Sequence, residues 1–206
     1  MSDHNYLYFS KIEEGDRILV LGAAGGDFIQ ENYREVIEKG ALVFCVEPVF
    51  DNLQHLISVC KTLAPQNTVV LSCGVSDTHR VEKMEVRDNL ITSTLESRFE
   101  TNQRWPMPLL YKMNAPIVTL DTILSIAGRI DKVFCDIEGS ELEVFSTSKR
   151  ISEIPYFAIA SYHLRDGRRT AEQLTRYFPG YHVVITDKVS RLEGEVVLFA
   201  WRRDAG

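Results

Sequence analysis

The stretch from Arg17 to Pro48, RILVLGAAGGDFIQENYREVIEKGALVFCVEP, constrains the chain more than any other. It reads as strand, glycine-rich turn, helix and second strand, with an acid at the second strand's end. Ile18, Leu19, Val20 and Leu21 form an unbroken apolar run, the pattern of a parallel strand buried on both faces. Gly22, Gly25 and Gly26 follow at once. Glycine there permits positive φ and removes Cβ atoms that would hold a ligand away from the backbone. Phe28 to Lys39 carries Phe28, Ile29, Tyr33, Val36 and Ile37 near helical spacing and stops at Gly40, a C-cap signal. Leu42 to Val46 is the next buried strand, and Glu47 stands 25 positions after Gly22. An acid at that point of a βαβ unit accepts hydrogen bonds from ribose hydroxyls, so the segment predicts an adenosine-binding half-fold.

The glycines read G-A-A-G-G rather than G-x-G-x-x-G, so the dinucleotide fingerprint is absent. A pyrophosphate needs the N–H groups and dipole of the helix N-terminus, where Asp27 would repel it. S-adenosylmethionine carries no phosphate, and its ammonium and sulfonium groups tolerate an acid. The alternative left open is that the glycines only allow strand and helix to pack closely.

A second concentration of chemistry follows the strand-like run Lys132 to Cys135: Asp136-Ile137-Glu138-Gly139-Ser140-Glu141. Ligands of open α/β sheets bind at the C-terminal strand ends. Carboxyl groups crowded there raise one another's pKa, which suits a general base. Asp136 and Glu138, two apart, are read as facing the cofactor. Glu141 and Glu143 are accounted for as acids in the first turn of the next helix. A hard divalent cation on these oxygens is the weaker alternative, because no histidine is adjacent in the sequence, and no metal is expected. Pro155 opens a fifth strand, Tyr156 to Ala160, ending in Ser161-Tyr162-His163. His163 is a candidate proton acceptor or substrate contact on the same edge.

The segments GDRILVLGAAGGDF, CVEPVFDNLQHL, VTLDTIL and DKVFCDIEGSELEVF together resemble the FkbM family of S-adenosylmethionine-dependent methyltransferases, over about Glu14 to Phe145. The resemblance implies a three-layer Rossmann-like class I methyltransferase fold: α/β, seven strands, mostly parallel, with an antiparallel C-terminal hairpin. It implies S-adenosylmethionine as cofactor and methylation of a hydroxyl on a small molecule or glycan. Cofactor contacts fall on Gly22, Ala23, Gly25, Gly26, Glu47, Pro48, Gly74, Val75 and Asp136, and catalysis on Asp136, Glu138 and His163. One departure concerns the methionine end of the cofactor: the family usually has an acid two places before the first glycine, where this chain has Val20. Two rival classes remain: a nucleotide-dependent oxidoreductase, and a non-catalytic adenosine- or partner-binding module.

The 206 residues suggest one domain spanning the chain, with 77–115 as a substrate-side insertion that breaks the regular alternation. Val81 to Val86 alternates like a short exposed strand, and Trp105-Pro106-Met107-Pro108 excludes an ordinary helix. Ser93, Trp105 and Tyr111 are substrate-pocket candidates. Asp121 reads as a helix N-cap. Tyr6, Tyr8 and Phe9 make the N-terminal segment either a lid over the cofactor or a frayed end with one anchor. A formal charge of −6 argues against nucleic-acid binding. No apolar run is long enough to span a membrane, and the four cysteines form no C-x-x-C pair, so a reducing cytoplasmic setting is expected.

Overall fold

The computed structural model describes residues 5–87, 94–95, 108–165, 167–189 and 195–202. Its main sheet has seven strands among the described residues: β1 (Arg17–Leu21), β2 (Leu42–Val46), β3 (Thr68–Leu71), β8 (Lys132–Cys135), β9 (Tyr156–Ala160), β12 (Tyr181–Thr186) and β13 (Val197–Arg202). Their order is β3-β2-β1-β8-β9-β13-β12. The first five are mutually parallel, and β13 runs antiparallel to both β9 and β12. The chain builds outward from β1 to β3, then returns to β1's other side with β8. The crevice between the ends of β1 and β8 is therefore the topological switch point, where open α/β sheets bind ligands.

Apolar residues on successive positions of β1 serve opposite faces. Leu19 and Leu21 pack with Leu120, Ile123, Phe145, Phe157 and Leu174. These come mostly from α3 (Leu120–Ala127), α4 (Glu141–Thr147) and α5 (Thr170–Leu174). Ile18 and Val20 pack with Phe28, Ile29, Leu53, Leu56, Cys60 and Phe134 on the side of α1 (Asp27–Glu38) and α2 (Phe50–Leu63). Period-two alternation within a continuous apolar run fills both layers. The end of α1 is set by Gly40 at φ 59°: its N–H bonds Ile37 and that of Ala41 bonds Val36, the paired bonds of a Schellman motif.

Residues 77–115 contribute to a second sheet. It is formed by β4 (Gly74–Ser76), β5 (Arg80–Arg87), β6 (Thr94–Leu95) and β7 (Leu109–Thr119), in the order β4-β7-β5-β6. The short exposed strand expected at Val81–Val86 is longer, and Met84, Glu85 and Val86 are buried on it. Its partner β7 is eleven residues long, and that long-range pairing is what extends it. On α2, apolar Ile57 is exposed while polar Asn52 is buried.

Asp121 is not the cap of α3. Thr119 is, accepting from Thr122 N–H at 3.3 Å. Asp121 instead accepts from Ser148 Oγ at 2.5 Å and Lys149 N–H at 3.2 Å, tying the start of α3 to the end of α4. Asp121→Ala should cost about 1 kcal/mol, the net worth of such bonds. In a chain of this size that is a melting-temperature drop of roughly 2–4 °C, read by calorimetry.

Candidate active site

The glycine turn holds the switch point closed around a few contacts. Gly22, at φ 77°, faces the carbonyl of Asp136 so closely that a Cβ would sit 1.8 Å from that oxygen. A Cβ on Gly25 would lie 2.8 Å from His55, and one on Gly26 would press on Leu56. Gly22 is thus required by packing and Gly26 by its φ of 93°, while Gly25 leaves room for the His55 ring. Gly22 and Ala23 N–H both bond the Val46 carbonyl, and Asp136 N–H bonds Leu21, so the ends of β1, β2 and β8 are laced together.

Glu47 sits buried where β2 ends. Its Oε2 accepts from Ala24 N–H at 2.9 Å, and its Oε1 from Val49 N–H at 2.9 Å and Asn52 Nδ2 at 3.2 Å. Ala24 holds φ 44°, a left-handed conformation rare for alanine, with its N–H on that carboxylate. Burial raises the Glu47 pKa, and the three donors pull it back only in part. A folded-state pKa above the unfolded one means the folded chain binds the extra proton. Relative to Glu47→Gln, wild-type stability should therefore fall as pH rises from the ordinary glutamate range through the raised value. Near neutrality the same variant, which sets an amide N–H₂ against backbone donors, should lose about 1–2 kcal/mol in chemical denaturation.

At the end of β8, Asp136 remains partly exposed, and the hydroxyl of Tyr6 donates to its Oδ2 at 3.3 Å. Burial, reinforced by Glu138, raises its pKa well above the carboxylate range. Glu138 follows at φ 53°, so the turn leaves the extended path expected for it, and its side chain folds back toward His163. His163 is 3% exposed. Its Nε2 stands 3.3 Å from Glu138 and its Nδ1 3.2 Å from Glu141. Burial opposes the imidazolium, but Glu141 and Glu138 outweigh it and hold the His163 pKa well above the usual histidine value.

Three sequence expectations change here. His163, expected open on the ligand edge, is instead buried between two carboxylates, Glu138 near Nε2 and Glu141 near Nδ1. Glu141 is no mere helix-dipole residue: it is fully buried, paired with His163, and also accepts from Gly139 N–H at 3.2 Å. A histidine does stand beside the carboxylates, delivered from the end of β9 rather than from the neighbouring sequence. One atom each of Asp136, Glu141 and His163 lies within 4.8 Å of the others. Glu195, buried just before β13, adds its charge to Asp136, and nothing in the sequence pattern marks it.

The N-terminal segment is anchored at several points. Tyr6 stacks on Phe134 at 5.7 Å, Phe9 meets Phe199 at 5.0 Å and Trp201 at 5.3 Å, and Tyr156 donates to the Tyr6 carbonyl at 3.0 Å. Among the other candidates, Gly74 begins β4, where a Cβ would come within 4 Å of Pro48, and Val75 is buried in the core. Tyr111 projects from β7 to donate to Asp51 at 2.5 Å in the first turn of α2, and its pKa rises to about 12 through burial and that carboxylate. Ser93 and Trp105 lie outside the described residues.

No family model and no curated protein matches the chain in sequence. Solved structures do match in fold. The methyltransferase FkbM from Methylobacillus flagellatus KT superposes with a TM-score of 0.66 at 19% identity, over 93% of this chain and 44% of that one. Fibrillarin from Aeropyrum pernix, with S-adenosyl-L-methionine natively bound, gives 0.55 at 14% identity over 95% of this chain and 70% of its own. An rRNA methylase from Streptococcus thermophilus gives 0.52 at 8% identity, over 93% and 89%. This is the class I methyltransferase fold. The chain spans less than half the length of the FkbM structure.

The ends of β1, β2 and β8 bring Gly22, Glu47 and Asp136 to the switch point, where open α/β sheets bind ligands. Val20, in place of the acid of the FkbM pattern, is 5% exposed among Phe28 and Phe134. It belongs to the packed α1 face rather than to the open edge of the crevice.

Proposed function

We propose that the chain is an S-adenosylmethionine-dependent methyltransferase acting on a hydroxyl of a small molecule or glycan. The observation that carries this reading is the set of carboxylates at the switch point: Asp136, Glu138, Glu141 and Glu195 surround a site that a phosphate-bearing cofactor would find repulsive and a cationic one favourable. Asp27 in the first turn of α1 adds to that preference. The residues fit the cofactor. A carboxylate has about four acceptor positions, and Glu47 uses three on the N–H groups of Ala24 and Val49 and on Asn52, leaving one for a ribose hydroxyl. Pro48 and Gly74 line up beside it for the base. S-adenosylmethionine supplies an electrophilic methyl on a sulfonium when bound.

The protein's part is to hold the acceptor oxygen in line, about 3–3.5 Å from the methyl carbon, and to keep water out. Asp136 takes the acceptor's proton: it is partly exposed, its pKa is raised toward the working range, and Tyr6 fixes one of its oxygens. Glu138 and Glu141 serve through His163, which their charges clamp in place. The chain forms one methyltransferase domain with 77–115 as its substrate-side insertion, from which Tyr111 is a candidate contact for the acceptor. Several proteins of this fold act on RNA by name, but the −6 net charge and the acidic crevice disfavour a phosphodiester acceptor here. Among the described residues no helix is long and apolar enough to cross a membrane.

The test is titration calorimetry with S-adenosylmethionine and with NAD, followed by a methyl-donor turnover screen over sugars, small alcohols and RNA. Binding of the first cofactor alone, with turnover on a hydroxyl, is the expected result. Binding of NAD, or of neither, overturns the proposal.

A further inference from the structure

The buried cluster beneath the proposed methyl-transfer position has the make-up of a metal site. Nδ1 of His163 and Oε1 of Glu141 are 3.2 Å apart, and one ligand atom each of Asp136, Glu141 and His163 lies within 4.8 Å of the other two. Ligand atoms about 2.1 Å from an ion lie about 3 Å apart when adjacent and about 4.2 Å when opposite. Adjacent positions therefore suit the first two residues with little adjustment. The other ring nitrogen, Nε2, meets Glu138 at 3.3 Å. A carboxylate on the far nitrogen is how metal-bound histidines are oriented and made more basic.

A second observation points to a ligand in this place. Glu141 is fully buried, yet its Oε2 has no hydrogen-bond partner among the described residues. The buried hydroxyl of Ser161, two residues before His163, has none either. A buried acceptor left without a donor is costly, and a cation satisfies it directly. The charge count runs the same way. Glu138, Glu141 and Glu195 all act on Asp136 there, with His163 opposing them.

We propose that Asp136, Glu141 and Nδ1 of His163 bind a divalent first-row metal ion, with Glu138 orienting the imidazole through Nε2. Two carboxylates and one imidazole suit Mn²⁺ or Zn²⁺ better than Mg²⁺, which seldom takes nitrogen. Three protein ligands leave positions open on the ion. A hydroxyl bound at one of them loses its proton more readily, which ties the site to hydroxyl chemistry. Asp136 ligates through one oxygen and keeps the other, held by Tyr6, on the crevice side. The inference concerns ion binding and stands whether or not the cofactor proposal does.

The experiment uses the full chain stripped of metal by chelator. MnCl₂ is titrated against it and free Mn²⁺ followed by electron paramagnetic resonance, with ZnCl₂ in parallel calorimetry. Saturation near one ion per chain is expected, and Glu141→Gln and Asp136→Asn should each weaken binding by about tenfold or more. Should Glu141→Gln fail to fold, Asp136→Asn decides alone. Nitrogen-15 NMR of the imidazole gives an independent reading: with Zn²⁺ the His163 ring should carry a proton on Nε2 only. Failure of both ions to bind overturns the site. So does binding unchanged in the folded variants, or an imidazole still doubly protonated at saturating Zn²⁺.

Discussion

Val20→Asp should lower the melting temperature by about 10 °C or more, and it should do so without S-adenosylmethionine present. The side chain is almost fully buried against Phe28 and Phe134 beneath α1, with no cation or donor shown beside it. An unpaired carboxylate placed there costs on the order of 3–5 kcal/mol. For a chain of this size each kcal/mol is worth roughly 2–4 °C. The FkbM pattern has an acid at this position, so on sequence grounds alone the substitution reads as benign. The structure argues otherwise, because apolar neighbours have closed over the site. Calorimetry that finds an unchanged transition would mean that the carboxylate escapes to the crevice, and that Val20 belongs to the cofactor site after all.

Asp136→Asn should reduce methyl transfer by a hundredfold or more, about 2.7 kcal/mol in the barrier. Asparagine keeps the size of the side chain and can still accept from Tyr6, but it cannot take a proton. Stability should move in the opposite direction, staying level or rising. Burial and Glu138 disfavour the Asp136 charge, so its removal relieves the cluster. Single-turnover kinetics and calorimetry on the same preparation separate the two effects. Full activity in the variant would remove Asp136 from chemistry. Lost activity with a large drop in melting temperature would recast it as a structural group.

How much of this was legible beforehand depended on the range of the forces involved. The strands Lys132–Cys135 and Tyr156–Ala160 read directly from apolar runs, because a parallel strand buried on both faces has few other compositions. The mostly parallel seven-stranded sheet with its antiparallel C-terminal pair followed from the family resemblance. The environment of His163 did not. Whether that ring faced solvent or two carboxylates depended on how the end of β9 returned over α4, a contact between residues 22 positions apart at Glu141 and 25 at Glu138. The role of Glu141 was hidden for the same reason: acids in a first helical turn are usually explained by the dipole. Asp121 illustrates a subtler failure. An aspartate at a helix start is a fair cap from sequence, but Thr119 was two places earlier and Ser148 was within reach in space.

The attachment of Tyr6 bears on how the protein is handled at the bench. Cutting the chain back to Gly15, just before the sheet begins, keeps all seven strands of the main sheet. It also strips the rings from Phe134, Phe199 and Trp201 and removes the hydroxyl from Asp136. Such a shortened protein would present an adhesive aromatic patch and an altered acid at the crevice. Poor solubility and weak activity in it would say nothing about the intact chain. Affinity handles therefore belong at the other end of the polypeptide.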